Sequence, residues 1–449
     1  MVEVAFMETP EQLLSLARER GASDAEVYAT TSRSRLVTFE GNRLKQLETV
    51  ASAGVGLRVW RDGRCGLAVA YGPHDPEALA DKAIALSQLG ELAPVLLADT
   101  SPATWALPPL DIAVDALVEQ GQATIASIRN RFPDVICNGE WTLDFDVMRL
   151  LNSRGLDCQF SDSSLSASVG VEWVRGDDFL EVGTDETVSP RQHAPVAELH
   201  PELWTSALAR RLHWATRTLT PSSGHYPVIF TPNAVPLLLE TAISATNGRY
   251  VAQKTSPWSD KLGQPVAASI LDVVQQPSFG PFGTPFDDEG LPSRRLKLLE
   301  SGELHALYCD LRAAHDLGLS PTGNGFRSGL GSYPAPGLAN LVLPPATLSF
   351  NELLRACDRG LVVDRVLGGG GGLTGDFSCN VDLGFWVEAG EIVGRVKDTL
   401  VAGNAYTALK QITAFSSAPV CLPNAGGRTW AGSIFTPAIA VSSLSVTGQ

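Results

Sequence analysis

Gly54-Val-Gly-Leu-Arg-Val-Trp-Arg-Asp-Gly63 and Ser168-Val-Gly-Val-Glu-Trp-Val-Arg-Gly-Asp177 read as one piece of structure written twice, a strand running into a turn. Each follows a polar strand whose turn begins near Phe39-Glu-Gly-Asn42 or Leu151-Asn-Ser-Arg-Gly155. Working outward, residues 11–20 place Leu13, Leu14 and Ala17 on one helical face, and Gly21 supplies a stop. Short β-type runs follow at Ala25–Thr30, Arg35–Glu40, Arg43–Val50, Gly54–Trp60 and Gly66–Ala70, split by the hairpin signals Gly41-Asn42 and Asp62-Gly63. The order recurs: a helical stretch Ala113–Asn130, then runs at Asp134–Cys137, Trp141–Phe145, Val147–Asn152, Cys158–Ser166, Ala167–Trp173 and Asp178–Val182. The expectation is an internally duplicated helix-plus-antiparallel-meander domain over residues 1–200.

Residues 201–223 read as a linker, a helix over Glu202–Leu219 closed by Pro221-Ser-Ser-Gly224. Residues 224–449 read as a second domain that opens on the buried strand Tyr226–Phe230 and a helix over Ala234–Ala245. Further strands are expected at Leu296–Leu299, His305–Asp310, Leu341–Leu343, Gly384–Val387, Ile392–Val396 and Ala438–Ser445, with helices at Ser349–Cys357 and Ala405–Phe415. The fold class is α+β, strand-rich in its C-terminal half.

A chain of 449 residues, 44% hydrophobic, has enough apolar side chains for two cores. Its formal net charge of −15, with basic clusters only at Arg210, Arg211 and at Arg294, Arg295, Lys297, argues against direct nucleic-acid binding. Seven Cys at irregular spacing suit thiols in a reducing compartment, and the first residues have no basic or apolar leader, so a cytoplasmic protein without a membrane span is expected.

Several chemistries are absent as motifs. The seven His form no H-E-x-x-H pair, and His305, Cys309 and His315 read as structural rather than as metal ligands. Gly368–Gly372 is a run of five glycines with no G-K-[ST] after it, so it is no phosphate loop; it suits backbone passing close to another chain or an extended peptide. No G-x-S-x-G occurs. Asp376-Phe-Ser-Cys-Asn-Val-Asp382 gathers carboxylates, a hydroxyl and a thiol, but nothing in the sequence sets a base beside Ser378 or Cys379, and a turn role is the simpler reading. Of Phe385 and Trp386, strand alternation sends one to the core.

Five C-terminal stretches resemble the TldD/PmbA family in order and spacing: G-H-Y-P-V-I-F-T-P (224–232), D-K-L-G-Q (260–264), T-P-F-D-D-E-G (284–290) with G-E-L-H-A-L-Y (302–308), L-G-L-S-P-T-G-N (317–324), and the run from T-G-D-F-S to V-A-G-N (374–404). In that family the TldD-type subunit carries a zinc-binding H-E-x-x-x-H on the helix after the first strand of the C-terminal domain, and a partner called TldE or PmbA lacks it. The matching stretch here, Leu237-Leu-Leu-Glu-Thr-Ala-Ile-Ser-Ala-Thr246, has no His and leaves Glu240 alone. Two departures touch the groove: the glycine richness of 368–372, and Ala431 where related chains often have Cys before Gly432. The resemblance implies a cytosolic metallopeptidase subunit without zinc of its own, the metal expected on a TldD-type partner, or else a self-paired dimer. The substrate it implies is unfolded peptide, and Gly370, Gly371, Gly372, Thr374, Asp376, Ser378 and Asn404 would contact peptide or partner. The alternatives are a metal-independent hydrolase using Ser378, Cys379 or Asp376, and an interaction protein modulating DNA gyrase.

Overall fold

The first hairpin turns on Gly41 and Asn42, both in the left-handed region (φ 58° and 70°), and the second on Asp62 and Gly63 (φ 52° and 72°). Paired positive φ values match the right-handed twist of flanking strands, so both connections need only two residues. The computed structural model describes residues 10–101, 104–190, 199–368, 370, 372–423 and 432–448, without the side chain of Trp204.

Helix Pro10–Glu19 precedes strands Asp24–Glu40, Arg43–Arg61 and Arg64–Tyr71, and helix Pro76–Leu89 follows them. Helix Val114–Arg131, strands Ile136–Asn152, Asp157–Arg175 and Asp178–Val188, and helix Pro201–Trp214 repeat that order. The two meanders join through their first strands, which pair antiparallel from Glu26↔Asn152 to Phe39↔Gly139, and the short strand Trp105–Ala106 completes a seven-stranded sheet. Gly54–Gly63 and Ser168–Asp177 fall at equivalent places, each the end of a middle strand and the turn after it.

Runs read as separate strands are continuous. Thr31-Ser-Arg-Ser-Arg35 looks like a break, yet Asp24–Glu40 passes through it because its polar groups find partners across the ladder, Ser34 Oγ donating to Asp144 Oδ1. Helix Pro76–Leu89 was not anticipated; Asp75 caps it by accepting from Glu77 N and Ala78 N, and Leu79, Ala80, Ala83 and Ile84 are buried. It lies so close to the sheet that a Cβ on Gly66 would stand 2.4 Å from Ser87 N, which makes that glycine a contact residue.

In the C-terminal half, Gly360–Leu367, Gly224–Phe230, Ile439–Gly448, Thr399–Asn404 and Asp376–Glu388 pair in that order, and Gly360–Leu367 pairs again with Asp376–Glu388. Five strands therefore close into a barrel. Glu391–Val396 and Thr218–Leu219 extend the sheet, and Ile412–Phe415 pairs with Ile439–Gly448. A second, six-stranded sheet runs Glu303–Leu304, Leu296–Glu300, Val273–Gln275, Leu341–Val342, Ile434–Thr436, Val420–Leu422. The main core lies between these sheets and holds Leu238, Leu239, Trp258, Tyr308 and Trp386.

Three expected spans change. The linker helix ends at Trp214, because Thr218–Leu219 leaves it to pair with Arg395–Val396. Helix Ala405–Lys410 stops before Ile412, whose run joins the barrel. Residues 305–310 are no strand; Tyr308 forms one bridge to Asn247, and Asp310 caps helix Leu311–Leu317. Phe385 and Trp386 are both buried, on opposite faces: Trp386 in the main core, Phe385 edge-on to Trp214 at 5.3 Å beneath the N-terminal sheet.

Candidate functional site

Strand Gly224–Phe230 leads through the turn Pro232–Ala234 into helix Pro236–Ala245. The entry is pinned where Thr231 Oγ1 donates to Asp364 Oδ1 at 2.7 Å, a carboxylate also 3.4 Å from Arg211 Nε. The helix is sunk in the main core: Leu237, Leu238, Leu239, Thr241, Ala242, Ile243 and Ala245 are buried, Glu240 is exposed and Ser244, one turn on, is half-buried. Its accessible face thus offers one carboxylate and one hydroxyl.

The glycine run lies against this helix. A Cβ on Gly370 would sit 3.6 Å from Leu237 O, so the loop backbone passes over the first helical turn at ordinary contact distance. Gly372 has φ +54° and opens the turn Gly372–Thr374. Gly375 has φ +79°, and a Cβ there would stand 2.8 Å from the Tyr406 ring. Asn404 fastens the loop from the neighbouring strand: its Nδ2 donates to Thr374 O at 3.0 Å and to Asp376 Oδ1 at 2.9 Å, while its Oδ1 accepts from Tyr406 N at 3.1 Å and Thr407 N at 3.3 Å. Tyr406 Oη donates to Leu373 O at 3.0 Å.

The structure therefore brings Thr374, Asp376 and Asn404 together and lays Gly370 beside helix Pro236–Ala245, while Gly371, like Trp430 and Ala431, lies outside the described residues. Along Asp376–Glu388, Asp376, Ser378 and Asn380 face solvent, and Phe377, Cys379 and Val381 face the core. Burial pushes the Cys379 thiol up, which works against a thiolate nucleophile. Asp376 is engaged by Asn404, and no imidazole is hydrogen-bonded to Ser378 among the described residues. Cys309 is buried, whereas His305 and His315 point to solvent beside Glu300 and Asp316. Among the described residues no group of three His, Cys, Asp or Glu is arranged for a metal.

A charged network between the two halves was not read from the sequence. Glu26, 1% exposed, meets Arg58 at 3.0 Å and Arg327. Arg327 lies over the Tyr28 ring at 4.9 Å, and Tyr28 Oη donates to Asp288 Oδ1 at 3.2 Å. Asp287 accepts from Glu289 N, Leu291 N and Gly325 N at 2.8–3.0 Å, and Glu289 Oε2 accepts from Leu311 N at 2.7 Å. Burial pushes the Glu289 carboxyl well above its usual range, with Asp287 and Asp310 adding to the rise. Burial also lifts Asp287, to about 7, against the pull of three N–H donors. Those donors favour the charged Asp287, so the proton belongs on Glu289. A cavity of about 340 Å3 beside this network is lined by Arg58, Trp60, Cys65, Glu289, Asp310 and Tyr333, among others. The signal available in sequence was three consecutive acids, Asp287-Asp-Glu289, directly after buried Phe286.

Fold and site define a strand-rich α+β protein with a duplicated N-terminal meander and a C-terminal barrel whose first helix is covered by a glycine loop. The chain belongs to the PmbA/TldD metallopeptidase family: residues 223–448 match the PmbA/TldA metallopeptidase C-terminal domain and residues 25–87 match PmbA/TldA metallopeptidase domain 1. It is 26% identical over 429 residues to a metalloprotease of Methanothermobacter thermautotrophicus, covering 88% of each chain. It is 27% identical over 415 residues to the metalloprotease PmbA of Escherichia coli O157:H7, again covering 88% of each. The fold is that of TldE from Thermococcus kodakarensis, with a TM-score of 0.85 at 23% identity over 98% of this chain and 99% of that one.

Proposed function

We propose that this chain is the zinc-less, PmbA/TldE-like subunit of a TldD/TldE-type cytoplasmic metallopeptidase acting on unfolded peptides. The observation that carries this reading is the accessible face of helix Pro236–Ala245. A helix-borne zinc site takes two imidazoles about one turn apart with a carboxylate base, and this face presents Glu240 and Ser244 alone. The donor set does not fit zinc, and no catalytic step is assigned to this chain. The metal and its activated water belong to a TldD-type partner.

The role of this chain is then to close the chamber and to hold peptide main chain. A glycine loop leaves backbone N–H and C=O groups approachable, and an extended peptide is bound by such groups without regard to its side chains. Gly370, Gly372, Thr374, Asp376, Ser378 and Asn404, with Gly371, are the proposed contact set. Among the described residues no helix is long and apolar enough to cross a membrane, in keeping with a cytoplasmic setting.

The test is zinc content and cleavage of an unfolded peptide, for the chain alone and mixed with a TldD-type relative. Cleavage only in the mixture, with zinc only on the relative, is the expected result. Stoichiometric zinc or cleavage by the lone chain refutes the assignment.

A further inference from the structure

The seven-stranded sheet is open where its first hairpin projects. Strand Arg43–Arg61 pairs with Asp24–Glu40 along its length, but on its other side Arg64–Tyr71 covers only Gly54–Arg61. Residues 43–53 thus have no second partner among the described residues. Every residue from Arg43 to Ala53 is exposed, including Leu44 (40%), Leu47 (52%) and Val50 (44%). Eleven residues of unpaired strand edge with three large apolar side chains form a template for another strand.

We propose that this edge is an interface between two copies of the chain, paired antiparallel about a two-fold axis at Leu47. The register follows from symmetry and charge. Residues directly opposite in an antiparallel ladder turn their backbone groups the same way, so a self-paired strand must be centred on a residue, never between two. A centre at Lys45 sets Lys45 on Lys45, and one at Glu48 sets Glu48 on Glu48; like charges directly opposite are unfavourable. A centre at Gln46 puts Lys45 opposite Leu47 and Glu48 opposite Leu44. A centre at Thr49 puts Leu44 opposite Gly54, where Tyr71 already pairs. Leu47 is the centre that joins all three apolar residues: Leu47 meets Leu47, Leu44 meets Val50 twice, Lys45 meets Thr49 and Gln46 meets Glu48. The chain's net charge of −15 does not oppose the contact locally, because this edge carries Arg43 and Lys45 against Glu48.

The proposal does not rest on the peptidase reading, since two copies can pair here whether or not a zinc-bearing relative binds elsewhere. The experiment uses the full chain carrying Leu47→Cys, beside the parent with its seven native cysteines. Side chains directly opposite in such a ladder lie about 5 Å apart at Cβ, near the reach of a disulfide. Mild oxidation should give a covalent dimer on a non-reducing gel for the variant and none for the parent. Thr49→Lys sets a second cation opposite Lys45 at an exposed position; it should weaken the dimer on the order of tenfold by light scattering, and Thr49→Glu should strengthen it. The idea is overturned if Leu47→Cys stays monomeric and both Thr49 variants leave the mass unchanged. It is equally overturned if cross-linking appears only when a TldD-type relative is added, since the edge would then receive that relative.

Discussion

The Glu26 carboxylate, on the first strand of the N-terminal sheet, takes the guanidiniums of both Arg58 on the adjacent strand and Arg327, which lies 301 residues further along the chain. One buried acid thereby ties the meander to the C-terminal half. Removing a single member of such a group leaves uncompensated buried charge, which costs about 3–5 kcal/mol. Glu26→Ala should lower stability by that amount in urea, with the fluorescence and far-ultraviolet transitions shifting together. A loss below about 1 kcal/mol would mean that water reaches these groups and that the clamp is weak.

Glu289 gives the same interface a pH dependence. Its carboxyl is raised in the folded state by burial and by neighbouring carboxylates, so the folded protein binds a proton that the unfolded chain has released above about pH 4.3. With more protons bound in the folded than in the unfolded state, stability falls as pH rises from that value toward the folded pKa. Glu289→Gln carries the hydrogens of the protonated form at every pH. It should be near neutral at pH 4–5 and progressively more stable than the parent as pH climbs to 8, by up to about 1.4 kcal/mol per unit. Melting temperatures across that range decide it, and parallel curves would place the proton elsewhere.

Asn404 joins the glycine loop to helix Ala405–Lys410 with four hydrogen bonds, two donated and two accepted. Asn404→Ala removes an N-cap and frees the loop, at a stability cost of about 1 kcal/mol. If the loop holds peptide as proposed, activity reconstituted with a TldD-type relative should fall by more than that stability loss explains, chiefly through KM. Unchanged kinetics would leave Asn404 a cap and nothing more.

The strands were legible where alternation is strong and turns are marked, as at Gly41-Asn42 and Asp62-Gly63, and the repeat between 54–63 and 168–177 located the meander. Propensity failed where tertiary pairing overrides it. Ile412–Phe415 continues a helical pattern but is claimed by strand Ile439–Gly448, and Thr31–Arg35 looks like a loop until Asp144 answers Ser34. The barrel closure rests on Gly360–Leu367 pairing on both sides, which no local pattern encodes. At the site, the loop and the bare helix were visible as composition. The Glu26–Arg327 clamp was not, because its members come from segments hundreds of residues apart and each alone reads as a surface charge.

Helix Val114–Arg131 offers a test of how tightly the duplicated unit is packed. A Cβ on Gly121 would stand 2.2 Å from Phe39 Cε2, and the Phe39 ring is held edge-on to Trp141 at 5.3 Å with only 2% of the residue exposed. Alanine in place of a helical glycine gains about 1 kcal/mol from propensity, but overpacking a fixed ring costs about 1–3 kcal/mol. Gly121→Ala should therefore destabilise, by up to about 2 kcal/mol. Phe39→Leu alone should destabilise through the space it opens, and the double variant should recover part of both losses, because the new methyl occupies room the ring has left. Urea titration of the four proteins measures the coupling. A favourable coupling of about 1 kcal/mol is expected; simple additivity would show that helix and sheet are separated by more than the contact distance implies.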